Sequence, residues 1–314
     1  MTELLNSYIN GNHIVSIYDD GTKVSKTVLE SSKYLTYDFP ESFDFKLTNK
    51  CSSGCKFCHE SSTKDAENKP IKEFLDSILY DSIRPFTEMA IGGGNIFEDE
   101  NDLNFLLETN KAKNIVSNIT ISQTQSLFNY EKIKDFISRN LIKGLGISIN
   151  PKHGKVPNFG DNTVLHVING IMDESWIPLI ENQKILILGF KNIGRGIQYL
   201  SDNSLSISEK QQWMVKNLKR LSGICQSISF DCLAVKQLDP QKVLDISCNN
   251  WNLWYNGDDE TKPDELGNLK ASSMFIDWPN LQISRSSTSF KRIPLNLQET
   301  IDKNFRRTFQ CPSK

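Results

Sequence analysis

The chain has 314 residues, 36 of them Lys or Arg and 38 Asp or Glu, for a formal charge of −2 at pH 7, and 38% are hydrophobic. That is enough apolar sequence for a large core, and the near-neutral balance excludes a whole-protein electrostatic pull toward nucleic acid or an anionic membrane. No run of about 18 apolar residues predicts a membrane span, no basic-then-apolar opening predicts a secretory signal, and seven cysteines without a disulfide-framework spacing fit a reducing cytoplasm with free thiols.

Residues 1–40 read as β structure. Asn10-Gly11 and Asp20-Gly21 are tight-turn signals, with β-branched Ile14, Ile17 and Val24 around them. A hairpin or three-stranded meander is predicted there, ending near Pro40. Strands then alternate with helical stretches. Apolar strands are predicted at 43–47, 88–92, 118–123, 145–150, 164–168 and 185–190, and helices at 71–80, 102–109, 130–140 and 174–182. This alternation predicts an α/β fold with a parallel sheet over residues 41–196. The crossover at 151–162 holds two prolines and two glycines and is expected to lack a proper helix. Residues 197–314 are expected to form an α+β extension. It comprises a helix at about 206–221 capped by Ser206 or Ser208, a strand at 227–233, a hairpin of 272–276 and 281–284, and a last helix at about 297–305.

The stretch with most chemistry is Cys51-Ser-Ser-Gly-Cys55-Lys-Phe57-Cys58, directly after the first of the six strands. Three thiolates can hold three irons of a [4Fe–4S] cluster and leave the fourth iron open, whereas electron-transfer clusters usually take four cysteines. Two other readings stand beside this one. Half of a zinc site would want a fourth Cys or His at a fixed spacing, and His59 is poorly placed to chelate beside its neighbour Cys58. The cysteines would otherwise be small buried hydrophobes. Cys225, Cys232, Cys248 and Cys311 form no C-x2-C pair, and Cys232 reads as a buried hydrophobe or as a hydrogen-atom donor facing the interior.

Gly92-Gly93-Gly94-Asn95 ends the second strand. Glycines let a backbone approach a ligand closely, and the Asn95 amide oxygen can accept from an ammonium group; a plain turn is the alternative. Ser122 and Gln123 end the third strand and Ser148 and Asn150 the fourth, at the carboxyl ends where ligands of parallel sheets sit. Loop capping accounts for them as well. Lys191 and Arg195 lie among Gly189, Gly194 and Gly196 after the sixth strand, a place for an anion or simply a solvated basic turn. His59 and Glu60 read as local structure, and Asp258-Asp259 as a turn. Residues 281–314, with seven Lys or Arg against two Asp or Glu, read as solvated surface.

The cysteine spacing, with Phe57 before the third cysteine and the glycine segment one βα unit later, resembles the signature of the radical S-adenosylmethionine (SAM) superfamily. The resemblance covers roughly residues 43–196 and implies a (βα)6 partial TIM-like barrel that the C-terminal extension closes. It implies that Cys51, Cys55 and Cys58 ligate a [4Fe–4S] cluster whose open iron chelates the amino and carboxylate groups of SAM. One electron from reduced flavodoxin or ferredoxin would cleave SAM to methionine and a 5′-deoxyadenosyl radical. The radical would abstract hydrogen from an unidentified substrate, a nucleotide, peptide or small metabolite.

By the same resemblance, Gly92, Gly93, Gly94 and Asn95 stand where the family's Gly-Gly-Glu-like segment binds the SAM amino group. Phe57 lies near the adenine, and Ser122, Gln123, Ser148 and Asn150 serve the SAM carboxylate and ribose. Lys191 would meet a carboxylate of SAM, or a carboxylate or phosphate of substrate. The chain departs from the pattern in having Asn at the acidic position. It also lacks the C-terminal cysteine clusters of SPASM and twitch domains. A reading from another class is a redox sensor that keeps the cluster without radical chemistry and leaves the polar strand ends idle.

Overall fold

The structure, a computed structural model, describes residues 3–19, 21–28, 35–251, 271–289 and 291–309. Strands β1 (Leu4–Asn10), β2 (His13–Tyr18) and β3 (Lys23–Thr27) form an antiparallel meander. Its first turn uses Gly11 at φ +58, where a Cβ would stand 2.0 Å from the Thr36 carbonyl oxygen. The predicted second turn falls partly on Asp20, outside the described residues. Glu41 fastens the meander to the rest of the chain: its Oε1 accepts from Asn10 Nδ2 at 3.1 Å and meets His13 Nε2 at 2.9 Å, and its Oε2 meets Lys23 Nζ at 3.1 Å.

The main sheet is built from β4 (Ser42–Thr48), β5 (Glu88–Gly93), β6 (Val116–Ser122), β7 (Gly144–Ser148), β8 (Thr163–Ile168), β9 (Lys184–Leu188) and β10 (Ser227–Phe230), all parallel. On the far side of β4 lie β11 (Ser273–Asp277), parallel to it, then antiparallel β12 (Gln282–Ser284) and β13 (Ile293–Pro294). The strand order is β10-β9-β8-β7-β6-β5-β4-β11-β12-β13. The C-terminal third therefore supplies both edges of the sheet.

Helices α1 (Ile71–Leu75), α2 (Ile78–Asp81), α3 (Glu100–Ala112), α4 (Gln123–Phe128), α5 (Tyr130–Ser138), α6 (Ile177–Ile180), α7 (Arg195–Ile224) and α8 (Cys232–Leu238) lie in the connections. Alternation with period two decides which strand face they cover. Phe43, Phe45 and Leu47 of β4 are buried, with the Phe45 ring 4.7 Å from that of Phe74 on α1. Met89 and Ile91, Ile119 and Ile121, Leu165 and Val167, and Ile185 and Ile187 continue that apolar face. The opposite face carries Asp44, Lys46, Thr48, Asn118, Thr120, Ser122, Ser148 and His166. Parallel strands covered on both faces read as continuous apolar runs; these do not, so the second face is built for polar company.

That polar face is concave. Loops after β4 and β9 touch although five steps of strand order separate them: Arg195 N–H donates to the Cys58 carbonyl at 3.0 Å, and Lys191 Nζ lies 3.2 Å from His59 Nε2. The sheet curls into a barrel-like α/β form. No described strand pairs close it.

Five predicted elements differ in detail. The strand expected at 227–233 ends at Phe230, because Asp231 accepts from Ala234 N and caps α8. The helix expected at 71–80 breaks at Asp76-Ser77, where Ser77 Oγ accepts from Tyr80 N and caps α2. The helix expected at 206–221 is the later part of the 30-residue α7, which kinks at Asn203 and starts where Gly194 adopts φ +56. At 174–182 a 3-10 turn, Glu174–Trp176, precedes the short α6. The last helix is Ile301–Phe309, displaced because Asn304 Nδ2 donates to the carbonyls of Asn296, Glu299 and Thr300 and holds that approach as a turn. The crossover at 151–162 contains only the 3-10 turn Pro151–His153.

Candidate functional site

The cysteine loop leaves β4 at Thr48 and closes on itself. Cys51 N–H donates to the Thr63 carbonyl at 2.9 Å, and Thr63 N–H to the Asn49 carbonyl at 3.1 Å. Gly54 turns the loop at φ +60, with open space where a Cβ would be. Cys55 is exposed and Cys51 and Cys58 are half-buried, all three free thiols. The start of α7 grips this loop from outside. Arg195 donates from Nε to the Cys55 carbonyl and from Nη1 to the Ser62 carbonyl, both at 3.0 Å. Gly194 and Gly196 permit the approach, since a Cβ would lie 2.4 Å from the His59 carbonyl oxygen at the first and 2.2 Å from that of Lys191 at the second. The Phe57 ring packs edge-on against Tyr199 of α7 at 5.5 Å.

These contacts engage carbonyls, and none of them uses a sulfur. Burial raises the Cys55 thiol, and the neighbouring Cys58 and Cys51 sulfurs raise it further against the pull of Arg195. Among the described residues, no three His, Cys, Asp or Glu side chains are gathered as tightly as around a single metal ion. Cys225 stands elsewhere, its thiol pushed up to about 11 by burial. Cys232 is half-buried at the start of α8 and Cys248 is exposed. Cys311 and Asp258-Asp259 lie outside the described residues.

Behind the cysteine loop sits the end of β5. Gly93, at φ +119, has room for a Cβ only 2.5 Å from the Thr48 carbonyl oxygen, and a Cβ on Gly94 would stand 2.0 Å from that of Lys50. Asn95 N–H donates to the same Lys50 carbonyl at 2.6 Å. These two glycines brace the backbone that leads into Cys51, whereas Gly92 has only ordinary contacts, at 3.8 Å to Thr120. Asn95 Oδ1 accepts from Phe97 N at 3.3 Å, and Asn95 Nδ2 donates to Glu98 Oε1 at 3.2 Å. Glu98 also accepts from Ser52 Oγ at 3.4 Å, inside the cysteine loop. The glycine segment thus brings a carboxylate to the loop from three residues past Asn95, a position the motif did not reveal.

The other strand-end residues divide. Ser122 and Gln125 form a capping box on α4. Buried Gln123 accepts from Asn150 N at 2.8 Å and donates to the Gly154 carbonyl at 2.7 Å, tying β6 to the crossover after β7. Asn150 caps the 3-10 turn by accepting from Lys152 N. Ser148 is half-buried on the concave face, in register with Ser122 and His166. Lys191 donates to Ser287 Oγ at 2.9 Å and approaches His59.

No protein-family model matches the chain, and no curated protein matches it. Among solved structures, the crystal structure of Streptococcus suis SuiB bound to precursor peptide SuiA is similar, with a TM-score of 0.50 and 12% sequence identity, covering 87% of this chain and 65% of that one. The chain therefore spans a little under two thirds of the SuiB chain. A likeness at this identity speaks of fold alone.

Sequence reasoning missed the charged lining beside the cysteine loop. Lys46 pairs with Glu60 and, at 3.4 Å, with Asp277; Arg292 pairs with Asp277 and, at 3.5 Å, with Glu60. Arg292 is thus no solvated surface cation. It links the C-terminal segment to a residue two places past Cys58. Burial, then the charges of Lys191, Lys46 and Arg292, hold His59 well below its usual range and keep it neutral. Alternation placed Lys46 on the inner face, but its partners come from more than 200 residues away, which no local pattern encodes.

Proposed function

We propose that this chain is a radical SAM enzyme, with residues 41–196 as a (βα)6 partial barrel, residues 1–40 appended to it and residues 197–314 extending it. The observation that carries the reading is the cysteine loop: three thiols at the carboxyl end of β4, two of them held by Arg195 through the carbonyls of Cys55 and Cys58. A cubane cluster binds each thiolate to a different iron, so its cysteines stand wider apart than those around one zinc. Three soft donors on one short loop, not converged on a point, fit that group.

When bound, the cluster would supply the electron that cleaves SAM to methionine and a 5′-deoxyadenosyl radical able to abstract hydrogen from substrate. The protein's own part is positional. Arg195, Gly194 and Gly196 fix the outer side of the loop, and Gly93 and Gly94 its inner side. Asn95 and Glu98 present oxygen acceptors to an ammonium group, and Ser148 and Lys191 present donors to a carboxylate. Phe57 offers backbone and ring to the adenine. Ser122, Gln123 and Asn150 shape the rim by capping and bridging the turns there.

Reduced flavodoxin or ferredoxin is the proposed electron donor and the cytoplasm the proposed compartment, since the thiols must stay reduced. No described helix is long and apolar enough to cross a membrane. SuiB is bound to a precursor peptide, which puts a peptide first among candidate substrates, ahead of a nucleotide or a small metabolite.

Anaerobic reconstitution tests the reading. The chain should carry about four irons, lose them when Cys51, Cys55 and Cys58 are all replaced by Ala, and keep them when Cys225 or Cys248 is replaced. With dithionite and SAM it should release 5′-deoxyadenosine. Full iron in the triple variant, or zinc in place of iron, sinks the cluster. Iron without 5′-deoxyadenosine, and without a SAM effect on the electron paramagnetic resonance signal, leaves a redox sensor instead.

A further inference from the structure

Strand β1 is an edge. It pairs with β2 alone, and β3 lies on the other side of β2. Asn10 and His13 face each other across the turn residues Gly11 and Asn12. They are therefore a hydrogen-bonded pair, and bonding alternates along the ladder from there. Asn6, Tyr8 and Asn10 spend their backbone groups on β2, while Ser7 and Ile9 turn theirs outward. No described residue takes up those outward groups. The side chains divide in the same way. The Tyr8 ring lies 5.7 Å from that of Phe39 and Asn10 is buried, whereas Leu5, Ser7 and Ile9 are exposed, Ile9 at 65%. Ile14 and Val24 continue this exposed apolar face across β2 and β3.

Exposed edge strands are ordinarily guarded by charge, proline or a bulge. Strand β3 is guarded, since it carries Lys23 and Lys26. Strand β1, Leu-Leu-Asn-Ser-Tyr-Ile-Asn, has neither charge nor proline. Its bulge, between Leu4 and Asn6, leaves the run from Asn6 to Asn10 regular. A neutral strand meets its own copy without like charges opposite each other, whereas β3 paired with its copy would crowd the lysines of both. The edge also lies at the far end of the main sheet from the cysteine loop. Glu41, which holds Asn10, His13 and Lys23, precedes β4, and Lys23 reaches Glu88 at the start of β5 at 3.8 Å. The cysteines follow the other end of β4, roughly 20 Å away along the strand. A substrate segment captured on β1 would be held away from the proposed chemistry; a second copy would not obstruct it.

We propose that β1 is a dimerisation edge. In the dimer β1 pairs antiparallel with β1 of a second copy about a two-fold axis at Ser7, exchanging hydrogen bonds between the two Ser7 residues and setting Ile9 against Leu5 of the copy. The two meanders become one six-stranded sheet. The contact is isologous and closes, because both outer strands of that sheet are the lysine-bearing β3. It is short, so it belongs with small transient interfaces and a micromolar Kd.

Sedimentation of the full chain at micromolar concentrations should show a monomer–dimer equilibrium. Hydrogen exchange of the wild-type chain should slow at the Ser7 and Ile9 amides as the dimer fills, with Tyr8 unchanged. Ser7→Pro removes an outward N–H and none that bonds β2, and Ile9→Lys places a charge at an exposed position. Each should weaken dimerisation about tenfold or more, the loss of symmetry-doubled contacts, with the thermal midpoint unchanged. Leu205→Lys makes a similar exchange at an exposed position on α7 and should leave the dimer intact. A chain that stays monomeric, a dimer that survives both β1 variants, a dimer lost equally in Leu205→Lys, or Ser7 and Ile9 amides indifferent to concentration overturns the proposal. So does exchange at Ser7 that slows only with an added extended peptide, which would assign the edge to a peptide partner. None of these signals needs a cluster, so failure of the radical-SAM reading shows separately, as absent iron or absent 5′-deoxyadenosine.

Discussion

Arg195 donates its backbone N–H to the carbonyl of Cys58 and its Nε to the carbonyl of Cys55, both at 3.0 Å. A single residue at the head of α7 thus fixes two of the three cysteines without touching a sulfur. Each hydrogen bond from its charged group is worth about 1.5–3 kcal/mol. Arg195→Met should therefore leave the chain folded but release iron roughly tenfold faster under a chelator, followed by the decay of visible absorbance. Arg195→Lys should recover little, because an ammonium lacks the planar fork that reaches Cys55 and Ser62 together. Unchanged iron release in both variants would mean that the loop holds itself.

Gly94→Ala should disturb the same loop from the other side. Its Cβ would meet the Lys50 carbonyl oxygen at 2.0 Å, a backbone atom that cannot rotate away. A cost of about 1–3 kcal/mol or more follows, read as a lower denaturation midpoint and reduced iron content. Gly92→Ala, whose nearest contact is 3.8 Å, should cost less than about 1 kcal/mol. Equal effects would show that the glycines are set by something other than packing against residues 48–50.

Local signals carried much of the architecture. Short apolar runs alternating with helical stretches marked the parallel strands β4 to β9. The boundaries of helices were less legible. Ser77 caps a second short helix within what reads as one apolar run, and Asn304 restrains a turn that composition cannot distinguish from a helix start. In the candidate site, the cysteines and the glycine segment announced themselves by spacing. Glu98, Arg195's hold on carbonyls, Arg292 and His166 did not, since each acquires meaning from a partner on another strand or loop.

His166 should also govern acid stability. Its pKa is lowered to about 4 by burial and then Lys191, against about 6.5 unfolded. The unfolded chain therefore takes up the proton first as pH falls. Stability is full above about pH 6.5 and declines down to about pH 4, by about 3 kcal/mol in total from this group. Denaturant melts of wild type and His166→Gln across that range should converge as pH falls. Parallel curves would refute a neutral buried imidazole.

Asn95→Ala should weaken SAM about tenfold with iron content intact, the loss of one hydrogen bond to a charged group. Asn95→Asp should not rescue it. The new carboxylate would replace the amide that donates to Glu98 Oε1 at 3.2 Å and set two like charges together. Equilibrium binding of SAM to the loaded protein decides the matter. Wild-type affinity in the Ala variant would reduce this segment to a turn.

The strand that carries the cysteines owes its interior place to the far end of the chain. Until Ser273–Asp277 docks beside Ser42–Thr48, β4 has a bare edge, and Lys46 lacks Asp277 while Glu60 lacks Arg292. Pairings across more than 200 residues form late and slowly, and unpaired edges invite other chains. During synthesis the thiol loop therefore waits, exposed and half-supported, for the last part of the polypeptide to leave the ribosome. Loading of the proposed cluster should therefore follow completion of this sheet, and a truncation before residue 273 should yield a sticky, poorly loaded protein rather than a smaller working one.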